Sequence, residues 1–233
     1  MAFVTYAIGD VHGEAERYRR LVDHVFNLHD ADYRGLDMRI VQVGDLIDRG
    51  PDSFGAINFA IELERDSAAN VTHLRGNHEQ MLLDAFDANT GGTMDYWIEN
   101  GGAETMRSYH DAGYESLPPS HLDWLGKREH LYLDEPSKII VVHAGVDVDA
   151  YPNCRESVRL WTRSPKFFDS NSWTNAALDG WCVIHGHTPT EGFMPEVDGD
   201  RRNRINVDTG AVFGGRLTAA VVSPEDSVRF LYA

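Results

Sequence analysis

The chain has 233 residues and a formal charge of −16, from 37 acidic and 21 basic side chains. With 42% hydrophobic and 25% charged residues it has the make-up of a globular protein long enough to bury a core without disulfide or metal staples. Lysine occurs only at Lys127, Lys138 and Lys166, which excludes the basic footprint of a nucleic-acid binder, and no apolar run reaches the ~18 residues of a membrane span.

The stretch from Met1 to Ile8 has no basic start and no long apolar segment, so a cytoplasmic protein is expected. Phe3 to Ile8 reads as a buried strand. Residues 14–29 read as an amphipathic helix, with Tyr18, Leu21, Val22, Val25 and Phe26 at helical spacing. Arg39 to Val43 is a second strand, and Ile57, Ala60 and Ile61 place a helix after Pro51. Val71 to Leu74 is a third strand, and Met81, Leu82, Ala85 and Phe86 form the next helical face. This βαβαβα alternation predicts a sheet with helices packed against it. Gly91-Gly92, Gly101-Gly102 and Pro118-Pro119 break residues 88–137 into short helices and turns, a cap inserted into a single domain spanning 1–233. Strands return at Ile139 to Val142, Trp181 to Ile184, Ile205 to Val207, Leu217 to Val222 and Val228 to Leu231. Between them, 150–180 reads as loop with one or two short helices. Cys154 and Cys182 fit no metal or disulfide pattern and are expected as reduced, half-buried thiols.

Five strand ends carry polar motifs. They are Gly9-Asp10-Val11-His12-Gly13, Gly44-Asp45-Leu46-Ile47-Asp48-Arg49-Gly50, Gly76-Asn77-His78-Glu79, His143-Ala144-Gly145 and Gly186-His187-Thr188. Ligands of open α/β sheets gather at the carboxyl ends of strands, so these motifs are expected to converge. Their mix of Asp, Asn and His suits manganese, iron or zinc better than the all-oxygen shells of magnesium or calcium.

At these residues the chain resembles the metallophosphoesterase superfamily. More closely it resembles the calcineurin-like, PPP-type phosphoprotein phosphatases, including bacterial serine/threonine phosphatases. Gly-Asp-x-His-Gly, Gly-Asp-x-x-Asp-Arg-Gly and Gly-Asn-His-Glu stand intact at 9–13, 44–50 and 76–79. Trp97-Ile98-Glu99-Asn100-Gly101-Gly102, Leu160-Trp161-Thr162-Arg163 and Asp208-Thr209-Gly210-Ala211-Val212-Phe213 extend the resemblance along nearly the whole chain. It implies an α/β (α+β) sandwich of two mixed β-sheets flanked by helices, with the metal site at the C-terminal ends of the strands. It implies that Asp10, His12 and Asp45 hold one divalent ion, and that Asp45 bridges to a second held by Asn77, His143 and His187. Manganese is the expected metal, with iron or zinc as alternatives. A hydroxide shared by the two ions would attack phosphorus directly. Arg49 and Arg163, with Asn77, would bind the phosphate, and His78 would protonate the leaving oxygen while Asp48 orients its ring and keeps it cationic.

The resemblance implies a monomeric phosphatase acting on phosphoserine, phosphothreonine or phosphotyrosine in a protein or peptide, with no nucleic-acid or membrane partner. The alternative is a dinucleoside polyphosphate hydrolase acting on diadenosine tetraphosphate. Symmetrically cleaving members of that group commonly carry alanine where Asp48 stands and aspartate where Glu79 stands. Ala144 departs from the glycine of eukaryotic PPP members, and Pro189 stands where many metallophosphoesterases carry a second histidine. Trp97 and the aromatic residues near 161–173 read as packing, Asp208-Thr209-Gly210 as a shaping loop, and Arg75 as structural. His185 reads as a strand-end residue. His24, His29, His73, His110, His121 and His130 read as helix-face or surface residues.

Overall fold

The apolar runs build two five-stranded sheets laid face to face, with helices on the outside. The computed structural model describes residues 3–87, 89, 93–199, 203–223 and 228–233; Gly91 and Gly92 of the expected cap lie outside them. In chain order the elements are β1 (Phe3–Ile8), α1 (Ala15–Asp32), β2 (Asp37–Gln42), α2 (Ser53–Asp66), β3 (Asn70–His73), α3 (Asn77–Phe86), α4 (Met94–Trp97), α5 (Ala103–Asp111) and α6 (Pro119–Gly126). There follow β4 (Leu131–Asp134), β5 (Ile139–Val142), α7 (Glu156–Trp161), α8 (Pro165–Phe168), β6 (Cys182–His185), β7 (Glu196–Asp198), β8 (Arg204–Asn206), β9 (Thr218–Val222) and β10 (Arg229–Tyr232).

The first sheet has the order β10-β9-β1-β2-β3 and the second β4-β5-β6-β8-β7. Both are mixed: β1, β2 and β3 are parallel and β9 is antiparallel to β1. Likewise β5, β6 and β8 are parallel, with β4 and β7 as antiparallel edges. The central strand β5 is buried on both faces, which is why Ile139 to Val142 read as an unbroken apolar run. Alternate side chains of β5 serve different layers: Ile139 and Val141 pack between the sheets with Ala7, Val41 and Ile184, whereas Ile140 and Val142 pack outward against Val146, Tyr151 and Phe167. On the other flank, Val4, Tyr6 and Ile8 of β1 meet Leu21 and Val25 of α1 and Ile57 of α2.

Two strands differ from the expectation. β4 lies inside the segment read as cap, and β7 lies between the expected strands at 181–184 and 205–207, where no element is expected. Both are edge strands with exposed apolar residues (Leu133 at 45% and Val197 at 43%). Such strands carry a weak pattern of their own and are fixed by the neighbour they pair with. No helix among the described residues is long and apolar enough to cross a membrane.

Candidate active site

The parallel strands of both sheets end at one place. Asp10 follows β1, Asp45 follows β2, Asn77 opens α3 after β3, His143 follows β5, His187 follows β6 and Asp208 follows β8; all are buried. His12 and His143 each bring Nε2 to Asp45 Oδ2, at 3.5 and 3.4 Å. Asn77 Oδ1 lies 2.8 Å from both His143 Nε2 and His187 Nδ1. Asp10 accepts the backbone N–H of His187 at 3.0 Å. Asp45 sits at the N-terminus of α3, where its Oδ1 accepts from His78 N at 3.0 Å, a position that favours a carboxylate.

The backbone is strained at this point. His12, Asp45, Asp48, Arg49 and His187 all adopt positive φ, between 45° and 72°. Such conformations cost about 1–3 kcal/mol each and persist only where surrounding structure enforces them. Two of these residues centre three-residue turns: Gly50 N donates to Asp48 O across Arg49 at 2.7 Å, and Thr188 N to Gly186 O across His187 at 2.8 Å. A Cβ at Gly186 would stand 1.9 Å from Asp10 Oδ1, so only glycine admits that carboxylate.

The electrostatics favour cations. Burial, then Asp208 and Asp45, pushes Asp10 well above the ordinary carboxylate range. Burial also raises Asp45, and it lifts Asp208 to about 7. Burial holds the imidazoles neutral: His143 is pushed down to about 3, and His12 and His187 are also lowered. Crowded carboxylates beside unprotonated imidazoles form a donor set that divalent ions suit. Two triplets, His12–Asp45–His78 and Asp45–His143–His187, hold their ligand atoms within 4.8 Å of one another and share Asp45. Asp10 lies in neither triplet, and His78, expected as an acid, lies in the first.

His78 and Asp48 are in direct contact, Nδ1 to Oδ2 at 2.8 Å, and both are buried. Asp48 also accepts from Trp97 Nε1 at 3.0 Å and Thr105 Oγ1 at 2.7 Å. Burial pushes Asp48 up to about 8 and His78 down to about 4. Burial thus works against the cationic ring that the sequence leads us to expect, whereas the Asp45 carboxylate favours it. The 2.8 Å contact lets Nδ1 and Oδ2 share a proton.

Arg49 and Arg163 stand exposed at the rim. Arg49 Nη1 donates to His12 Nε2 at 2.8 Å and Arg163 Nε to His187 Nε2 at 3.3 Å. Glu79, which the sequence marks only as part of a motif, braces the backbone around the ligands. Its carboxylate accepts from Gly76 N, Asp45 N and Leu46 N, each at 2.8 Å. Trp97 is more than packing, because its N–H binds Asp48. Gly101, four residues on, accepts from Arg49 N at 3.1 Å, and a Cβ there would stand 2.7 Å from Arg49 Cγ. The 97–102 segment therefore supports Asp48 and Arg49 together. Trp161 is 41% exposed with its ring 6.1 Å from that of His187, so it is no core residue. His29 on α1 and His121 on α6 are buried helix-face residues bonded to Tyr6 and Tyr109, whereas His73, at the end of β3 and bonded to Tyr18, is on neither a helix nor the surface. Arg75 bonds Gln80 and the Gly126 carbonyl, away from the ligands.

Comparison with known proteins places this geometry. The calcineurin-like phosphoesterase family model matches residues 3–215. A serine/threonine-protein phosphatase 1 of Salmonella typhimurium (strain LT2) is 33% identical over 223 residues, covering 92% of this chain and 90% of that protein. An asymmetrical bis(5'-nucleosyl)-tetraphosphatase of Oceanobacillus iheyensis is 30% identical over 229 residues, covering 91% of this chain and 86% of that protein. Among solved structures, a protein serine/threonine phosphatase from Saccharomyces cerevisiae superposes with a TM-score of 0.61 at 14% identity, covering all of this chain and 80% of that one; this likeness concerns the fold alone.

Proposed function

This chain belongs to the calcineurin-like phosphoesterases, and we propose that its site removes phosphate from phosphoserine, phosphothreonine or phosphotyrosine in a protein or peptide. In this reading Asp10, His12 and Asp45 hold one divalent ion, and Asp45, Asn77, His143 and His187 hold another, manganese being the first choice and iron or zinc the alternatives. When bound, the ions neutralise phosphate oxygens and lower the pKa of water at the site. Arg49 and Arg163, with Asn77, grip the phosphate; each guanidinium offers a planar fork of donors to two phosphate oxygens. Residues 1–233 act as one domain, the helices between Met94 and Gly126 forming the cap that carries Trp97 and Thr105 to Asp48.

The observation that carries the reading is the Asp48–His78 pair. A serine or threonine alkoxide is a very poor leaving group and needs a proton as the P–O bond breaks. His78 Nε2–H, backed by a carboxylate with three donors on it, supplies that proton at a buried and fixed position. A nucleotide leaving group has no such need. The tetraphosphatase likeness supports a second reading, hydrolysis of a dinucleoside polyphosphate. The test is phosphate release with manganese from a phosphothreonine peptide and from diadenosine tetraphosphate at matched concentration. Faster turnover of the peptide supports the proposal; faster cleavage of the dinucleotide overturns it.

A further inference from the structure

Behind His187 lies a chain of polar groups that no motif marks. His185 is the last residue of β6 and is fully buried. Its Nε2 lies 3.0 Å from Arg204 Nη1 on the neighbouring strand β8. Arg204 is itself only 2% exposed, and its Nη2 donates to Glu196 Oε2 at 2.8 Å on β7. A guanidinium can only donate, so His185 Nε2 must accept, and the ring's one proton is left on Nδ1. That Nδ1–H points at the carbonyl oxygen of Gly186, 3.0 Å away. The same oxygen accepts from Thr188 N at 2.8 Å, closing the tight turn that holds His187 at φ 69°.

We propose that His185 and Arg204 are positioning residues for His187. The arginine selects the tautomer of His185, and His185 then donates the second hydrogen bond that locks the Gly186 carbonyl and the turn presenting the His187 ring. The aromatic rings of Phe167 and Phe168, 5.0 and 5.7 Å from that of His185, keep it from turning away. The proposal rests on His187 holding a metal ion and does not depend on which phosphoester is the substrate.

Manganese(II) titration of the metal-free full chain by calorimetry tests it, with thermal unfolding of the metal-free protein measured in parallel. His185→Phe keeps the aromatic packing and removes the donor. Arg204→Met keeps the stem and removes the tautomer selection. Each should weaken one of the two manganese sites by roughly 10–100-fold, the usual effect of losing a group that orients a ligand, and leave the other within about threefold. Arg204→Lys, which can still donate to Nε2, should recover most of that loss. The double variant should be no worse than either single one, because both act on one hydrogen bond. Unchanged affinities in His185→Phe, or an equal loss at both sites tracking a fall in thermal stability, overturn the proposal. Should Arg204→Met fold poorly, His185→Phe decides alone. His187→Ala is the control: if it still binds two manganese ions at wild-type affinity, the assignment of His187 fails and this inference fails with it. If His187→Ala loses one site while His185→Phe and Arg204→Met lose nothing, the inference alone fails.

Discussion

Asp48→Asn changes one atom of the acid pair. The wild-type carboxylate receives three donors: His78 Nδ1, Trp97 Nε1 and Thr105 Oγ1. An amide keeps one oxygen, so its NH₂ must face one of them. Trp97 can only donate, which keeps the oxygen on its side and turns the NH₂ toward His78. Nδ1 must then accept, and the ring is a neutral imidazole whose Nε2–H is a very weak acid. If the oxygen turns to His78 instead, Nε2 is left as a bare lone pair. Either way the extra proton held between His78 and Asp48 is gone. General-acid assistance is worth about 10²–10⁴-fold, or roughly 2.7–5.5 kcal/mol of barrier. The loss should depend on the leaving group. kcat toward a phosphothreonine peptide should fall by the full factor, whereas kcat toward 4-nitrophenyl phosphate, whose phenoxide leaves unaided, should fall less than about tenfold. In the wild type the pair loses its proton as pH rises through the upper value of about 8, so peptide turnover should decline above that pH and nitrophenyl phosphate turnover should not. Equal losses on both substrates, with two metals still present by elemental analysis, would refute the acid role.

Three further outcomes are expected. Asp45→Ala removes the one carboxylate shared by both ligand triplets, so elemental analysis should find both ions largely lost; retention of two ions would show that Asp45 does not bridge. Glu79→Gln turns an amide NH₂ toward backbone donors that now meet oxygen. At about 3 kcal/mol for the broken charged hydrogen bonds and roughly 2–4 °C per kcal/mol, the metal-free Tm should drop by about 6–12 °C, and a change under about 2 °C would contradict the bracing role of Glu79. Finally, burial depresses His12, His73, His143, His185 and His187 in the fold. A depressed folded-state value means the unfolded chain binds more protons below about pH 6.5, so stability is full above that pH and lost as pH falls. That histidine contribution is opposed over the same range by Asp10, Asp45, Asp48, Glu79 and Asp208, whose raised carboxyls hold protons in the fold that the unfolded chain has released, so the check is made on the rings themselves. In NMR titration of the metal-free protein the His143 and His187 ring signals should stay unchanged from pH 7 to pH 5, and a midpoint near pH 6.5 would mean these rings are not buried neutral.

What the sequence made legible depends on how local the signal was. β1 and β5 match their expected bounds, Phe3–Ile8 and Ile139–Val142, because each is an apolar run, broken only by Thr5 in β1, that stops at a polar or glycine boundary. The ligand-type residues were visible because each sits beside a strand end in a short motif. The support for Asp48 was not, because Trp97 and Thr105 lie 49 and 57 residues away and neither has a partner within its own motif. His73 shows the same limit: it joins Tyr18 on α1 and Glu64 on α2, 55 and 9 residues off, through contacts that only the packing of three elements creates. β4 escaped notice for a related reason. Its Asp134 is buried against Arg39 of the other sheet, so a charge stands where a periodicity argument looks for an apolar residue.

The site gathers what the rest of the fold avoids. Among the described residues, five of the seven non-glycine positions with positive φ are there, and Asp10, Asp45, Asp48 and Asp208 bury four carboxyl groups in a chain already carrying a charge of −16. Neither feature contributes to folding. Strain and buried like charge both oppose it, and a chain selected for stability alone would place alanine or asparagine at these positions. The glycines at 76, 101 and 186 give room for the unfavourable arrangement, and the backbone donors on Glu79 and Asp10 hold it in place without neutralising it. Protonation relieves such an arrangement, as the raised carboxyls show, and so does positive charge brought from outside. Arg49 and Arg163 at the rim offset the buried carboxylates only in part, and small cations that fit among ligand atoms within 4.8 Å of one another would supply further relief. On the proposed reading a phosphate dianion would meet positive charge at the cations and the two arginines, while the net charge of −16 repels it overall. The acidic surface therefore restricts productive approach to the one place where chemistry can follow.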